Sequence, residues 1–141
     1  MRASNAADTE EPREMLGEDV EPLMQSIEEA AAGLLFPSES DFPIEAYRFG
    51  AEEPTPSVVL HARGLPPDTP VEETSLASFF EGLVEGDDDG SGRFRALVDL
   101  LQRELAELRV YRVGKVDIDA LVLGRHPSGV WLGVTTKLVE T

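Results

Sequence analysis

The pattern that most restricts how this chain can fold lies in residues 116–139. Within its first part, 116–123, the even positions are apolar and Asp117 and Asp119 fall between them. This period of two is typical of a strand with one buried face. A turn-forming sequence follows, and then a second apolar stretch at 130–139. We therefore expect an antiparallel hairpin in this part of the chain.

The register of this hairpin depends on where its turn closes. Register matters because a shift of one residue moves every side chain to the other face of the sheet. If Gly124 lies opposite Val130, then Lys137 stands across from Asp117. Thr141 is then expected to emerge at the end of the sheet.

Three other segments have apolar residues at helical spacing. A helix should start near Asp19, an acceptable N-cap, and should end before Pro37, because the residue preceding a proline disfavours helical geometry. Residues 93–108 carry the clearest apolar stripe, and residues 72–84 carry a weaker one. Residues 1–18 have no such periodicity, and we expect them to form a disordered acidic leader.

Short strands and loops account for the remaining residues. We expect strands at residues 44–49, 57–62 and 110–113, and loops at residues 50–56, 64–70 and 85–92. The order of helix, strands, helices and strands predicts one α+β domain over residues 19–141. Its helices should be layered against a mostly antiparallel sheet.

The chain is strongly acidic, with 28 acidic residues against 12 basic ones and a formal net charge of −16. Nucleic acids and anionic lipids repel such a protein, so we expect it to bind neither nucleic acid nor membranes. The charge favours a basic protein as partner, and nucleases are often basic around their substrate groove. The alternative is that acidity only provides solubility, or adaptation to a salty cytoplasm.

Sequence patterns of common catalytic sites are absent. The chain contains no cysteine, which excludes disulfides, thiolate metal ligands and a cysteine nucleophile. It also lacks the zinc-hydrolase, nucleophile-elbow, phosphate-loop and dinucleotide-binding motifs. We expect a protein that is not an enzyme and needs no cofactor. Residues 1–19 lack a secretion signal, and no apolar run is long enough to cross a bilayer, so we expect a cytoplasmic protein. We also expect it to be monomeric when free.

An acidic loop at residues 87–92 resembles part of a calcium-binding loop. Asp87, Asp89 and Ser91 fall at the first, third and fifth ligand positions. The bidentate glutamate expected at the twelfth position is replaced by Val98. A solvated connection between two helices is therefore the favoured interpretation, and calcium binding remains the alternative.

A second acidic loop is enclosed by two prolines, Pro37 and Pro43. It contains Ser38, Glu39 and Ser40. A loop that ends in a turn and uses its serines to satisfy local backbone amides is one interpretation. A stiff loop that projects a carboxylate toward a partner is the other, because little entropy is then lost on docking.

Oxygen atoms are also concentrated at residues 137–141. A strand that ends there is expected to place the Thr141 hydroxyl, an α-carboxylate and the Glu140 carboxylate close together. Such a set of oxygens suits a hard divalent cation, or the cationic site that would hold a phosphate.

Three segments, GLLFPSESDFP (33–43), VYRVGKVDID (110–119) and TTKLVET (135–141), together resemble the nuclease A inhibitor family. This family is known from the inhibitor of a sugar-non-specific endonuclease. The resemblance runs from about Val20 to Thr141 and keeps the family's segment order.

The resemblance implies a three-layer α/β/α sandwich similar to pathogenesis-related protein 1. It also implies stoichiometric inhibition of a non-specific DNA/RNA endonuclease of the ββα-metal type. In this family a loop glutamate and a C-terminal threonine enter the nuclease active site, and the matching residues here are Glu39 and Thr141. The threonine would approach the magnesium ion of the nuclease. Glu140, Ser38 and Ser40 are expected to take part in partner binding.

Two alternatives remain open beside nuclease inhibition. The chain could be an acidic interaction module for another basic protein, or a calcium-responsive domain that uses the 87–92 loop. The known inhibitor of the family also has a longer loop with an aromatic contact residue where this chain has the short acidic stretch 85–92. The departure points to a cognate nuclease other than the one that the known inhibitor blocks.

Overall fold

The computed structural model describes residues 11–140 of the chain, with side chains from residue 20 onward. The predictions made for residues 1–10 and for Thr141 lie outside the described residues. The described part contains four helices and seven strands. In chain order these are α1 Glu11–Ala31, β1 Leu35–Phe36, β2 Phe42–Pro43, β3 Glu45–Gly50, α2 Pro56–Ala62, β4 Val71–Thr74, α3 Leu76–Phe79, α4 Asp89–Glu104, β5 Ala106–Val113, β6 Asp117–Arg125 and β7 Trp131–Val139.

Five strands form one antiparallel sheet in the order β3-β7-β6-β5-β4. The short strands β1 and β2 pair separately as an antiparallel hairpin. Helices and an antiparallel sheet in one unit confirm the predicted α+β class. Among the described helices, none has the length and apolar character that crossing a membrane requires.

The predicted hairpin of β6 and β7 is confirmed, but its predicted register is wrong by two residues. Asp117 lies opposite Val139, and Lys137 lies opposite Asp119. The turn closes later than expected, because the His126 N–H donates to the Val130 carbonyl over 2.8 Å. Gly129 has a φ of +95°, the left-handed conformation that suits a glycine in a three-residue hairpin loop.

The sheet is covered on both of its faces. On one face α1, α3 and α4 pack against the strands, and the most buried residues include Val20, Ile27, Leu97, Leu101, Val110, Val122 and Leu132. On the other face α2 packs against the strands through a second cluster: Val59, Leu60, Tyr111, Val113, Leu121, Leu123 and Trp131. The middle of the sheet is therefore buried on both sides, and the exposed residues of β6 are Asp117 and Arg125 at its two ends.

Helix α2 corrects the prediction of a strand at residues 57–62. The Thr55 hydroxyl accepts a hydrogen bond from the Val58 N–H over 3.3 Å, and Pro56 occupies the first turn. Both features favour a helix start, since an N-cap threonine satisfies a free amide and proline has none to lose. The sequence pattern predicts a loop at these two residues, so the cap is the finding that corrects it.

Helix α1 is longer at its start than predicted and shorter at its end. It begins at Glu11 instead of near Asp19, so residues 11–18, predicted to belong to a disordered leader, are helical. Pro22 lies inside the helix. It ends at Ala31, six residues before Pro37, and Gly33 follows with a φ of +80°. The two residues before the proline form β1 instead of a last helical turn.

The predicted helices at 72–84 and 93–108 are also displaced. The first begins as strand β4, and α3 starts only after Ser75, whose hydroxyl accepts the Ser78 N–H over 3.0 Å. The second helix begins at Asp89 and ends at Glu104. The chain then enters the sheet directly, since β5 begins at Ala106 and pairs with β6. The pairing is irregular between Ala106 and Arg109, and Glu107 in this interval has a φ of +55°.

Candidate functional site

The loop at residues 37–41 lies against the end of strand β7. The Val139 N–H donates to the Ser38 hydroxyl over 3.1 Å, and the Glu39 N–H donates to the Val139 carbonyl over 3.2 Å. Strand β3 pairs with β7 only from Trp131 to Thr135, so this part of the β7 edge is open to the loop. The acidic loop and the 137–140 segment, two separate predicted features, therefore meet in space.

The Ser38 hydroxyl also shapes the loop from within. It donates to the Ser40 carbonyl over 2.5 Å and accepts the Ser40 N–H over 3.3 Å. One side-chain oxygen therefore links two backbone groups of the loop to one of strand β7. The predicted role of serine in satisfying local amides applies to Ser38, whereas the described contacts of Ser40 involve its backbone.

The two ends of the loop are fixed by packing and hydrogen bonds. Phe36, just before the loop, stacks on Phe79 with ring centroids 4.5 Å apart, and it meets the edge of Phe80 at 6.2 Å. After the loop, the Pro43 carbonyl accepts the Thr136 hydroxyl over 2.8 Å. The loop is thus a rigid connection between a buried aromatic cluster and the sheet.

Within this rigid loop the acidic side chain lies at the surface. Glu39 and Ser40 are exposed, and Ser38 is half-buried. The backbone of Glu39 is held by strand β7, so the direction of its side chain is set by the sheet.

Glu140 directly follows strand β7 and is held at two points. Its N–H donates to the Val116 carbonyl over 2.9 Å. Its carboxylate pairs with the Arg112 guanidinium over 2.5 Å, and Arg112 also pairs with Glu72 over 3.5 Å. The role of Glu140 in partner binding stays a prediction, and in the free chain its carboxylate is engaged with Arg112. The pattern of the sequence did not predict this contact of Arg112.

A comparison with protein families matches residues 21–141, nearly the whole chain, to the model described as nuclease A inhibitor-like protein. The chain belongs to this family. A search among curated proteins gave no match. Membership of the nuclease A inhibitor-like family confirms the resemblance and indicates a nuclease-inhibitor role with a nuclease as partner. It also indicates a function other than enzymatic catalysis.

In this nuclease A inhibitor-like chain, the 87–92 segment lacks the geometry of a calcium loop. Asp89 and Ser91 lie in the first turn of α4, and Asp88 is the N-cap. A hydrogen bond from the Ser91 side chain is the main cause that lowers the pKa of Asp88. Over residues 20–140, whose side chains are described, no group of three or more His, Cys, Asp or Glu side chains is placed to hold a metal ion.

A cavity of about 580 Å³ opens on the α2 side of the sheet, beside the residues that follow the acidic loop. Arg63 stacks over the Tyr47 ring at 5.4 Å and pairs with Asp119 over 3.4 Å. Burial lowers the pKa of Arg63, but the hydrogen bond with Tyr47 and the charge of Asp119 outweigh it and raise the pKa overall. Lys137 pairs with the same carboxylate over 3.8 Å. The cations of this cavity thus share one carboxylate, an arrangement that the sequence did not predict.

Proposed function

We propose that this protein inhibits a non-specific endonuclease of the ββα-metal type by inserting Glu39 and Thr141 into its active site. The observation that carries the proposal is a pair of hydrogen bonds to the backbone of Val139, one that the Ser38 hydroxyl accepts and one that the Glu39 N–H donates. They join the family's loop segment to its last strand, so that Glu39 and the residues after β7 can be presented to one partner surface.

The mechanism is mimicry of a phosphate. A nuclease active site holds a metal ion and cationic groups that stabilise negative oxygens of a phosphodiester. The carboxylate of Glu39 and the hydroxyl of Thr141 would occupy those oxygen positions and offer no bond that can be cleaved. Ser40 would border this contact, and Ser38 would hold the loop in shape.

Rigidity of the loop favours tight binding. A flexible acidic loop would lose conformational freedom on docking, and this cost would reduce affinity. Here the hydroxyl of Ser38 and the stacked ring of Phe36 already fix the loop in the free protein. Most of the ordering cost is therefore met during folding.

The charge of the protein assists the encounter with its partner. A net charge of −16 attracts a basic nuclease over distances longer than contact, which raises the association rate. This attraction is screened by salt, with a Debye length of about 8 Å at physiological ionic strength. Association should therefore slow as salt is added, whereas dissociation should change less.

We also infer the arrangement that the family resemblance implies around this surface. Helices on both faces of the sheet would make a three-layer α/β/α sandwich similar to pathogenesis-related protein 1. The inhibitor domain would span residues 19–141 and act in the cytoplasm as a monomer, without cofactor or catalytic activity.

The first test is a titration of a ββα-metal endonuclease with the wild-type protein, Glu39→Gln and Asp41→Asn. The last variant is the matched control, because it removes an exposed carboxylate from the same loop. Wild type should abolish activity at a one-to-one ratio. Glu39→Gln should weaken binding by at least about 30-fold, the effect of a central interface residue. Equal affinities of the two variants would refute the role of Glu39.

The role of Thr141 is tested by appending residues after it. Extra residues would displace the threonine from the metal ion and should abolish inhibition while leaving the thermal unfolding unchanged. An extended protein that still inhibits fully would refute this part of the mechanism. If the wild-type protein itself inhibits no such nuclease at low or high salt, the acidic interaction module for another basic protein becomes the better proposal.

A further inference from the structure

Arg112 makes contacts that the inhibitory mechanism above does not use. It lies on β5, and its guanidinium reaches Glu140, directly after β7, over 2.5 Å. Strand β6 lies between β5 and β7 in the sheet, so this contact spans a neighbouring strand. The same guanidinium pairs with Glu72 on the edge strand β4 over 3.5 Å. One cation thus links three separate parts of the sheet.

The environment of Arg112 distinguishes this ion pair from an ordinary surface pair. Its side chain is only 22% exposed, and its Nε is buried without a hydrogen-bond partner in the described part of the chain. Exposed pairs contribute little because water screens them, but a partly buried cation that loses its carboxylate is left poorly compensated. The guanidinium therefore favours the conformation in which Glu140 stays in place.

Together with the backbone contacts, this pair fixes the segment after β7 from three directions. Val139 is bonded to the 38–39 loop, the Glu140 N–H is bonded to Val116, and the Glu140 side chain is held by Arg112. Two of these contacts hold backbone groups, and the third holds a side chain. Without Arg112, Glu72 and Glu140 would also lose the positive charge that compensates them both.

We infer that Arg112 is a positioning residue of the inhibitory surface, and that Glu140 is its anchor and not a contact of the nuclease. This inference rests on the proposed function, since the segment held by Arg112 leads directly to the proposed contact at Thr141. Arg112 acts through Glu140 and fixes the direction in which the chain leaves β7. It determines how long the inhibitor stays bound, while net charge governs how fast it arrives.

The test compares Arg112→Gln, Arg112→Lys and Glu140→Gln with Arg48→Gln as control. Arg48 pairs with Glu21 over 3.6 Å at another place on the sheet, and its replacement changes the net charge by the same amount as Arg112→Gln. Thermal unfolding first establishes that each variant is folded. Amide hydrogen exchange in the free protein then reports on Val139 and Glu140, and binding kinetics with the nuclease follow.

Arg112→Gln and Glu140→Gln should accelerate exchange at these two amides by about tenfold, because the segment opens more often. Both variants should also raise the dissociation rate by about tenfold, and Arg112→Lys should lie between them and wild type. Arg48→Gln should leave exchange and dissociation unchanged, while it alters the association rate as much as Arg112→Gln does. The double variant Arg112→Gln/Glu140→Gln should be no worse than either single one.

Three results would overturn the inference, and each differs from failure of the proposed function. Unchanged exchange in Arg112→Gln would mean that the pair does not hold the segment, whatever the nuclease result. Faster exchange with an unchanged dissociation rate would mean that the segment is held but does not matter for binding. Weaker binding of Glu140→Gln with unchanged exchange would make Glu140 a direct contact. Failure of the proposed function itself would appear as absence of inhibition by the wild-type protein.

Discussion

Replacing Ser38 with alanine removes the hydroxyl that connects the acidic loop to strand β7. The half-buried Val139 N–H loses its acceptor at 3.1 Å, and the turn at Ser40 loses two hydrogen bonds. A hydrogen bond of this kind contributes about 0.5–1.5 kcal/mol, and an amide left without a partner costs about 1–3 kcal/mol. Because water can reach this partly exposed site, we expect a total loss near the lower end, about 1–2 kcal/mol.

The assay is urea denaturation of Ser38→Ala beside Ser40→Ala. The second variant makes the same chemical change in the same loop, but the described contacts of Ser40 involve only its backbone. It should therefore stay within about 0.5 kcal/mol of wild type. Ser38→Ala should lower the midpoint without changing the slope, and its melting temperature should fall by about 3–8 °C.

Inhibition should follow the same order as stability. Ser38→Ala frees the loop that carries Glu39, so part of the ordering cost moves from folding to binding. Its dissociation from the nuclease should accelerate, while its association rate, which depends on net charge, should not change. If Ser38→Ala and Ser40→Ala prove equal in stability, the hydroxyl does not anchor the loop, and the argument for its rigidity fails.

Three further changes test the fold around this site. Gly133→Ala should abolish cooperative thermal unfolding, since a Cβ there would lie 1.8 Å from the Val122 carbonyl oxygen of the neighbouring strand. Thr55→Ala should cost about 1 kcal/mol in urea denaturation, because α2 loses its N-cap. Burial raises the pKa of Tyr111 above its ordinary value in the folded protein, so the contribution of Tyr111 to stability should be constant below pH about 10 and should fall as pH rises further. Tyr111→Phe should reduce this decline when stability is compared at pH 8 and pH 11.

The β6–β7 hairpin was predictable from the sequence, but its register was not. The alternation in residues 116–123, the turn-forming sequence and the apolar stretch at 130–139 identify the pairing, whereas the register depends on which residues close the turn. The sequence Pro127-Ser128-Gly129 fits a three-residue loop with a left-handed glycine, and this interpretation would have placed His126 opposite Val130. Alternation alone cannot separate two registers that differ by two residues, because both keep the same faces buried.

The second cluster, on the α2 face of the sheet, is not predictable from hydrophobic spacing because α2 is short. Its seven residues contain valines and a leucine, which favour a strand when they are considered alone. The helix is decided by the two preceding positions, where Thr55 caps the first turn and Pro56 has no amide to satisfy. Packing of Val59 and Leu60 on the sheet then stabilises it. Capping residues therefore carried more information here than hydrophobic spacing.

Helix α4 shows the opposite error, in which hydrophobic spacing extended a helix too far. Leu105 and Leu108 continue the apolar stripe, yet the helix ends at Glu104 and the chain enters β5. Leu105 is still buried in the core on the face that α1, α3 and α4 cover. Leu105 would be buried whether it continued the helix or led into the strand, so its burial could not identify the end of the helix.

The candidate site was only partly accessible from sequence for a physical reason. Local features such as the prolines around Glu39 indicate a stiff loop, and they can be identified without the fold. The pair between Arg112 and Glu140 joins residues 28 positions apart and depends on the register of two strands. Contacts of this kind arise from tertiary structure, and no local sequence pattern predicts them.

The place of the loop in the sheet explains why stability and recognition are linked in this protein. Strand β7 extends to Val139, but its neighbour β3 pairs with it only as far as Thr135. The unpaired end would expose backbone groups that can associate with another strand. The loop covers the backbone N–H and carbonyl of Val139 through the Ser38 hydroxyl and the Glu39 N–H. The same hydrogen bonds that protect the edge fix the direction of the Glu39 backbone. A change that frees the loop to reach a partner differently would therefore also uncover the strand, which restricts the surface to one geometry.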